Sequence, residues 1–126
     1  MLFQLDTKST DPMYEQLEEQ VARYVYLGVL MPEEKLPSVR SLAGELGINP
    51  NTVAKAYKLL EAEEIIYTVA AKGVYIGKKE NAERFIKKRT LNHFESIVKK
   101  AKLSGVSASE LEALISAVYK GGKSLD

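Results

Sequence analysis

Apolar residues at positions 14, 17, 21, 24 and 25 recur at helical spacing, and Gly28 follows as a stop. This predicts a first helix over roughly 12–27, with Asp11 as its N-cap. Pro12 would take the first helical position, where a missing N–H costs nothing. A loop containing Pro32 and Pro37 comes next. Ser38 then caps a short second helix that ends at Gly47, and Asn49 caps a third, with Pro50 at its first position. The third helix is predicted over 50–64. Val53, Ala56, Tyr57 and Leu60 form its apolar stripe and must face a core. Asn51, Thr52, Lys55 and Lys58 lie off that stripe, available to a partner.

The period then changes. Residues 65–69 and 74–76 are β-branched and aromatic, with Lys72-Gly73 near the bend between them, which reads as a β-hairpin. From about Asn81 the helical spacing returns. Ala82, Phe85, Ile86, Phe94, Ile97, Val98 and Ala101 mark one apolar face on a lysine-rich helix that Gly105 breaks. Ser107 with Glu110 three residues later is a capping-box pattern. The helix behind it carries Leu111, Leu114, Ile115 and Val118 and stops at Gly121-Gly122.

Together these elements predict a mainly α fold with a small β-hairpin. Residues 1–78 form a winged helix-turn-helix domain, and residues 79–126 a short two-helix C-terminal region, with the boundary near 77–80. Two isolated helices cannot bury two apolar stripes well. Self-association is the natural solution, since a dimer buries the stripes and doubles the contacts to a symmetric site. A winged helix-turn-helix is a device for placing one helix in a DNA groove.

Composition narrows the picture. A hydrophobic fraction of 45% suffices for a core. With no cysteine there is no disulfide and no thiolate ligand or nucleophile. No apolar run approaches the about 18 residues of a membrane span. The N-terminus lacks a basic segment followed by an apolar one, so a cytoplasmic protein without a signal peptide is expected. His93 is the single histidine and has no carboxylate at a metal-ligand spacing, so no metal and no cofactor are expected. No phosphate loop, nucleophile elbow or catalytic triad is present, and the adjacent pairs Glu18-Glu19 and Glu63-Glu64 point in diverging directions on a helix. An enzyme is not expected.

The net charge of +1 conceals an asymmetry. Residues 1–77 carry seven Lys/Arg and eleven Asp/Glu, or −4; residues 78–126 carry eleven and six, or +5. A net acidic DNA-binding domain runs against the attraction to phosphates that supplies much of the affinity. The distribution counters this: residues 35–58 hold Lys35, Arg40, Lys55 and Lys58 against Glu45 alone.

The ordered run of motifs is specific. It comprises Pro12-Met13-Tyr14-Glu15-Gln16-Leu17, Gly28-Val29-Leu30-Met31-Pro32, Leu36-Pro37-Ser38-Val39-Arg40, Asn49-Pro50-Asn51-Thr52-Val53, Ala56-Tyr57 and Leu60-Glu61. With these residues the chain resembles the GntR family of bacterial transcription regulators, and its short two-helix tail resembles the YtrA-type subfamily. The resemblance implies a homodimer on a pseudo-palindromic double-stranded DNA operator, repressing its own operon, which in similar proteins often encodes an ABC transporter. It also implies a dimerising tail with little room for a large effector pocket, although an unidentified small-molecule effector stays open as a partner. The chain departs from the family pattern at Pro50 and Ala54, where many relatives carry arginine, and at Ala70-Ala71, where the wing commonly carries Arg-Gly. It departs again at Glu33 and Glu64, where glycine is usual; a side chain at 64 requires a backbone that tolerates it.

The candidate DNA-binding residues are Ser38, Arg40, Asn49, Asn51, Thr52, Lys55, Lys58, Lys72 and Gly73. Arg40 suits a phosphate or a guanine edge, the alternative being an ion pair with Glu45. Asn51 and Thr52 fall in the first turn, where recognition helices reach base edges: Asn pairs bidentately with adenine, and a Thr methyl meets a thymine methyl. Asn49 has plain work as an N-cap, Gly73 as a turn residue, and the lysines as solvated charges. Lys87-Lys88-Arg89 and Lys99-Lys100 read most simply as a solvated helix face, with auxiliary phosphate contact as the sharper option. Two rival functions stay open. One is a winged-helix protein-interaction module with little DNA affinity, motivated by the −4 of residues 1–77. The other is a small-ligand sensor, for which no titratable cluster speaks.

Overall fold

The computed structural model describes residues 2–121. It contains five helices and one three-stranded antiparallel sheet: α1 (Met13–Tyr26), β1 (Lys35–Leu36), α2 (Val39–Leu46), α3 (Pro50–Ala62), β2 (Ile66–Val69), β3 (Gly73–Ile76), α4 (Lys79–Leu103) and α5 (Ala108–Tyr119). The mainly helical winged helix-turn-helix read from the sequence is the fold observed. The wing has one strand more than the hairpin expected. β1 pairs with β3 in the order β1-β3-β2, with Lys35 opposite Tyr75 and Leu36 opposite Val74. A two-residue strand carries no readable alternation, so periodicity could not distinguish it from the loop.

The core is built from the stripes read in the sequence. Leu17, Val21 and Val25 of α1, Leu42 of α2, Val53 and Leu60 of α3, and Ile66 and Ile76 of the sheet are all buried. The segment before α1 is tied along that helix by side-chain amides acting as backbone mimics. Gln16 Oε1 accepts from the Asp6 N–H at 2.8 Å while its Nε2 donates to the Asp6 carbonyl at 3.0 Å. Gln20 pairs with the backbone of Gln4 in the same two-point way. Phe3 is thereby buried, its ring stacked on Tyr24 at 5.8 Å between centroids.

Three boundaries differ from the sequence reading. The N-cap of α1 is Pro12, in extended conformation with ψ 148° and no side-chain cap, rather than Asp11. The Asp11 carbonyl is instead engaged by Gln16 Nε2 at 2.9 Å. α3 ends at Ala62, short of 64, because Glu64 turns left-handed with φ 60° and the chain closes back with Ile65 N–H donating to the Leu60 carbonyl at 3.0 Å. α4 begins at Lys79, and Ala82, Phe85 and Ile86 on its opening turns are buried.

The chain divides into compact units at residues 1–88 and 89–126, so the first takes in the opening turns of α4 beyond the boundary near 77–80. Within the second unit, α5 has the capping box predicted for it, with Glu110 N–H donating to Ser107 Oγ at 3.1 Å and Ser107 N–H to Glu110 Oε1 at 3.0 Å. The Ser107 N–H, and secondarily the Ser107 hydroxyl, hold the Glu110 carboxyl below its ordinary pKa. None of the described residues 89–121 is buried. Gly121 has the positive φ of a helix stop; Gly122, read with it, lies outside the described residues.

Candidate nucleic-acid interface

The turn between α2 and α3 is built as the sequence implied. Ser38 Oγ caps α2 by accepting from Ser41 N–H at 3.1 Å. Gly47, left-handed at φ 68°, closes α2 with its N–H on the Ala43 carbonyl. Asn49 Oδ1 then accepts from Asn51 N–H at 2.8 Å, and the Asn49 carbonyl from Thr52 N–H at 2.9 Å, so α3 starts in a defined frame.

Burying Val53, Ala56, Tyr57 and Leu60 turns the other side of α3 outward. Asn51, Lys55 and Lys58 are exposed and Thr52 is half-buried. Arg40, the second residue of α2, is exposed, and no carboxylate among the described residues pairs with it. The Arg40–Glu45 ion pair considered as its alternative role is therefore not formed. Lys55 is less available than its helical position implied. Its Nζ sits 3.9 Å from the centroid of the Tyr14 ring, a cation–π contact to α1 worth about 0.5–1 kcal/mol at an exposed site.

Tyr57 joins these pieces. Its Oη donates to the Pro37 carbonyl at 2.7 Å, connecting the core face of α3 to the residue immediately before the Ser38 cap. Burial, and secondarily the negative charge of Glu45, push the Tyr57 hydroxyl far above its ordinary pKa, so it remains a donor.

The wing turn runs through Ala70, Ala71 and Lys72, closed by Lys72 N–H on the Val69 carbonyl at 3.0 Å. Ala71 holds φ 66°, where glycine is favoured. Gly73 has φ 138° and a second reason to lack a side chain: a Cβ there would stand 2.7 Å from Lys35 Cε. Lys35 thus reaches diagonally over neighbouring β3 toward the wing turn, an arrangement visible only once β1 is known to pair. The registered row Lys35, Tyr75, Tyr67 lies on the outer face of the sheet, with the two tyrosine rings stacked at 5.8 Å. Sequence reasoning counted Lys35 among the basic residues without assigning it to the site.

At the wing's root, Glu64 is the second left-handed residue lacking a glycine, and Glu33, with φ 70°, the third. The Glu64 carbonyl accepts from Asn81 Nδ2 at 2.9 Å, and a Cβ on Gly77 would stand 2.6 Å from that same oxygen. All nine candidate residues lie on α2, α3, their caps, or the wing. Among the described residues no group of His, Asp and Glu could hold a metal ion, and no helix is long and apolar enough to cross a membrane.

Comparison with known proteins agrees with this geometry. Residues 13–76, from α1 to the end of β3, match the family described as bacterial regulatory proteins, gntR family. Over its whole length the chain is similar to the HTH-type transcriptional repressor YtrA of Bacillus subtilis, at 38% identity across 99% of this chain and 100% of the relative. Among solved structures, a transcriptional antiterminator from Listeria monocytogenes EGD-e superposes with a TM-score of 0.71 at 33% identity, covering 94% of this chain and 90% of that one. YtrA from Sulfolobus acidocaldarius, a GntR-family transcription factor, superposes with a TM-score of 0.54 at 32% identity, covering 94% and 97%.

Proposed function

This chain belongs to the gntR family of bacterial regulatory proteins and is a DNA-binding transcription regulator, and from that premise we propose that it works as a homodimeric repressor of its own operon on a pseudo-palindromic operator. Each protomer inserts α3 into a major groove, where Asn51 and Thr52 meet base edges. Ser38, Arg40, Asn49, Lys55 and Lys58 position the helix on the backbone, with Lys72 and Gly73 approaching from the wing. Residues 79–126 hold the two copies at the spacing of the half-sites. A transporter operon as target follows from the resemblance to YtrA-type regulators.

The observation that carries this reading is the outward face of α3. A helix capped by Asn49 and anchored through Tyr57 presents Asn51 and Thr52 in its first turn, and the exposed Arg40 of α2 has no carboxylate partner among the described residues. Dimerisation is supported by the apolar surface of the second unit. Leu91, Phe94 and Ile97 on α4, and Ile115 and Val118 on α5, are each more than 40% exposed. So much apolar area in water favours association that covers it.

The test is selection of fragmented genomic DNA on the purified protein, followed by titration of bound fragments at low and moderate salt. A short inverted repeat bound with a steep salt slope is the expected result. No recovery above background, from folded and dimeric protein, would favour the protein-interaction module.

A further inference from the structure

The wing lacks at its tip what a DNA backbone needs. Ala70 and Ala71 carry no donor and no charge, so the turn itself offers a phosphate only Lys72 and main-chain N–H groups. Lys35, from a different part of the chain, supplies what is missing. Antiparallel pairing sets Lys35 opposite Tyr75, two residues along β3 from Gly73. Its side chain nevertheless extends over Gly73, with Cε 2.7 Å and Nζ 3.5 Å from the place a Cβ would occupy. The absence of a side chain at 73 leaves the passage through which the lysine reaches the wing.

We infer that Lys35 is a DNA-backbone contact, donating to a phosphate from the strand that links the start of α2 to the wing. Its place in the chain favours this. Three residues on is Ser38, the cap of α2, and between them is Pro37, whose carbonyl is held by Tyr57 of α3. Lys35 therefore stands where the helix-turn-helix and the wing meet, with its backbone beside one and its ammonium beside the other. Neither Lys35 nor Lys72 has a carboxylate partner among the described residues. Two cations, one packed over Gly73 and one beside it in sequence, with no carboxylate partner among the described residues, suit a polyanion. Because a phosphate contact carries no sequence information, Lys35 contributes affinity and registry, not base choice.

This inference rests on the DNA-binding reading above, and the experiment separates the two. Full-length wild type, Lys35→Ala, Lys35→Arg and Lys99→Ala are titrated with the selected operator fragment and with an unrelated duplex over a salt series. Lys35→Ala is expected to lower the log–log salt slope by about 0.9, the yield of one phosphate contact, equally on both DNAs. Lys35→Arg restores the slope, and Lys99→Ala, whose ammonium lies 3.7 Å from Glu95 on α4, leaves it unchanged. Matched thermal unfolding of all four proteins excludes a folding defect as the cause. Salt-dependent wild-type binding with an unaltered slope in Lys35→Ala overturns the inference alone. A wild type with no salt-dependent DNA binding overturns the reading beneath it.

Discussion

Tyr57 and Pro37 are twenty residues apart and joined by a 2.7 Å hydrogen bond from the phenol to the carbonyl. That bond ties the buried face of α3 to the entrance of α2, so the two helices of the helix-turn-helix share one anchor. Tyr57→Phe is expected to destabilise the fold by about 1–2 kcal/mol, the range for removing one partner from a part-buried carbonyl. Urea unfolding reads this directly. The raised pKa adds a signature in pH. A group whose folded pKa lies above its unfolded value stabilises fully below the unfolded value, here 10.0. That contribution is lost as pH rises beyond it. Wild type should therefore lose its advantage over Tyr57→Phe in the alkaline range above pH 10.

Arg40→Ala and Thr52→Ala test the recognition surface. Arg40 is exposed and Thr52 only half-buried, so unfolding midpoints should stay near wild type. Operator affinity should fall by about 1–3 kcal/mol in each. Wild-type affinity in both variants would move the interface away from α2 and α3.

Glu64 occupies a left-handed position that glycine takes without strain, whereas Gly77 faces the Glu64 carbonyl too closely for a Cβ. Glu64→Gly is expected to stabilise by about 1 kcal/mol through relief of that backbone. Gly77→Ala should destabilise by about 1–3 kcal/mol, as overpacking does, because the obstructing atom is main chain. Opposite shifts in melting temperature for these two neighbours would confirm that the crossing at the wing's root is tight.

The tail is tested by charge. Phe94→Glu combined with Leu114→Glu changes exposed side chains of α4 and α5 that the fold of one copy does not bury. In a dimer held by these faces, each carboxylate left unpaired in the interface costs about 3 kcal/mol or more. Sedimentation should report a folded monomer with weakened operator binding. A double variant that stays dimeric would place the interface in residues 1–88.

Acid pH probes the α5 cap. Glu110 is held below its ordinary pKa of 4.5 by its bonds to Ser107. A depressed carboxylate stabilises above its unfolded pKa, and that contribution is lost as pH falls through the folded value. An NMR titration should find Glu110 protonating below its ordinary range on acidification, and Ser107→Ala should reverse that only in part, because the main-chain N–H of residue 107, the larger cause, remains.

Read alone, the sequence determined most of the helices and the faces they bury. Ser38, Asn49 and Ser107 cap by local side-chain bonds, and the stripe from Val53 to Leu60 follows from the helical repeat; such information acts within a few residues and is legible there. The outward placement of the candidate site was legible to the same extent, because α3 has one apolar side and its remaining residues must face outward. Tertiary structure decided what depends on distant partners. Lys35 and Leu36 become a strand only because β3 offers an unpaired edge, and that pairing takes Lys35 to the wing. Lys55 meets Tyr14 because α1 packs against α3, and no spacing in α3 could reveal it. Glu64 keeps a left-handed backbone where Asn81 holds its carbonyl and Gly77, without a side chain, leaves that carbonyl room. In each case the energy comes from groups far apart in sequence, so a window along the chain sees one half of an interaction and only the folded molecule contains both.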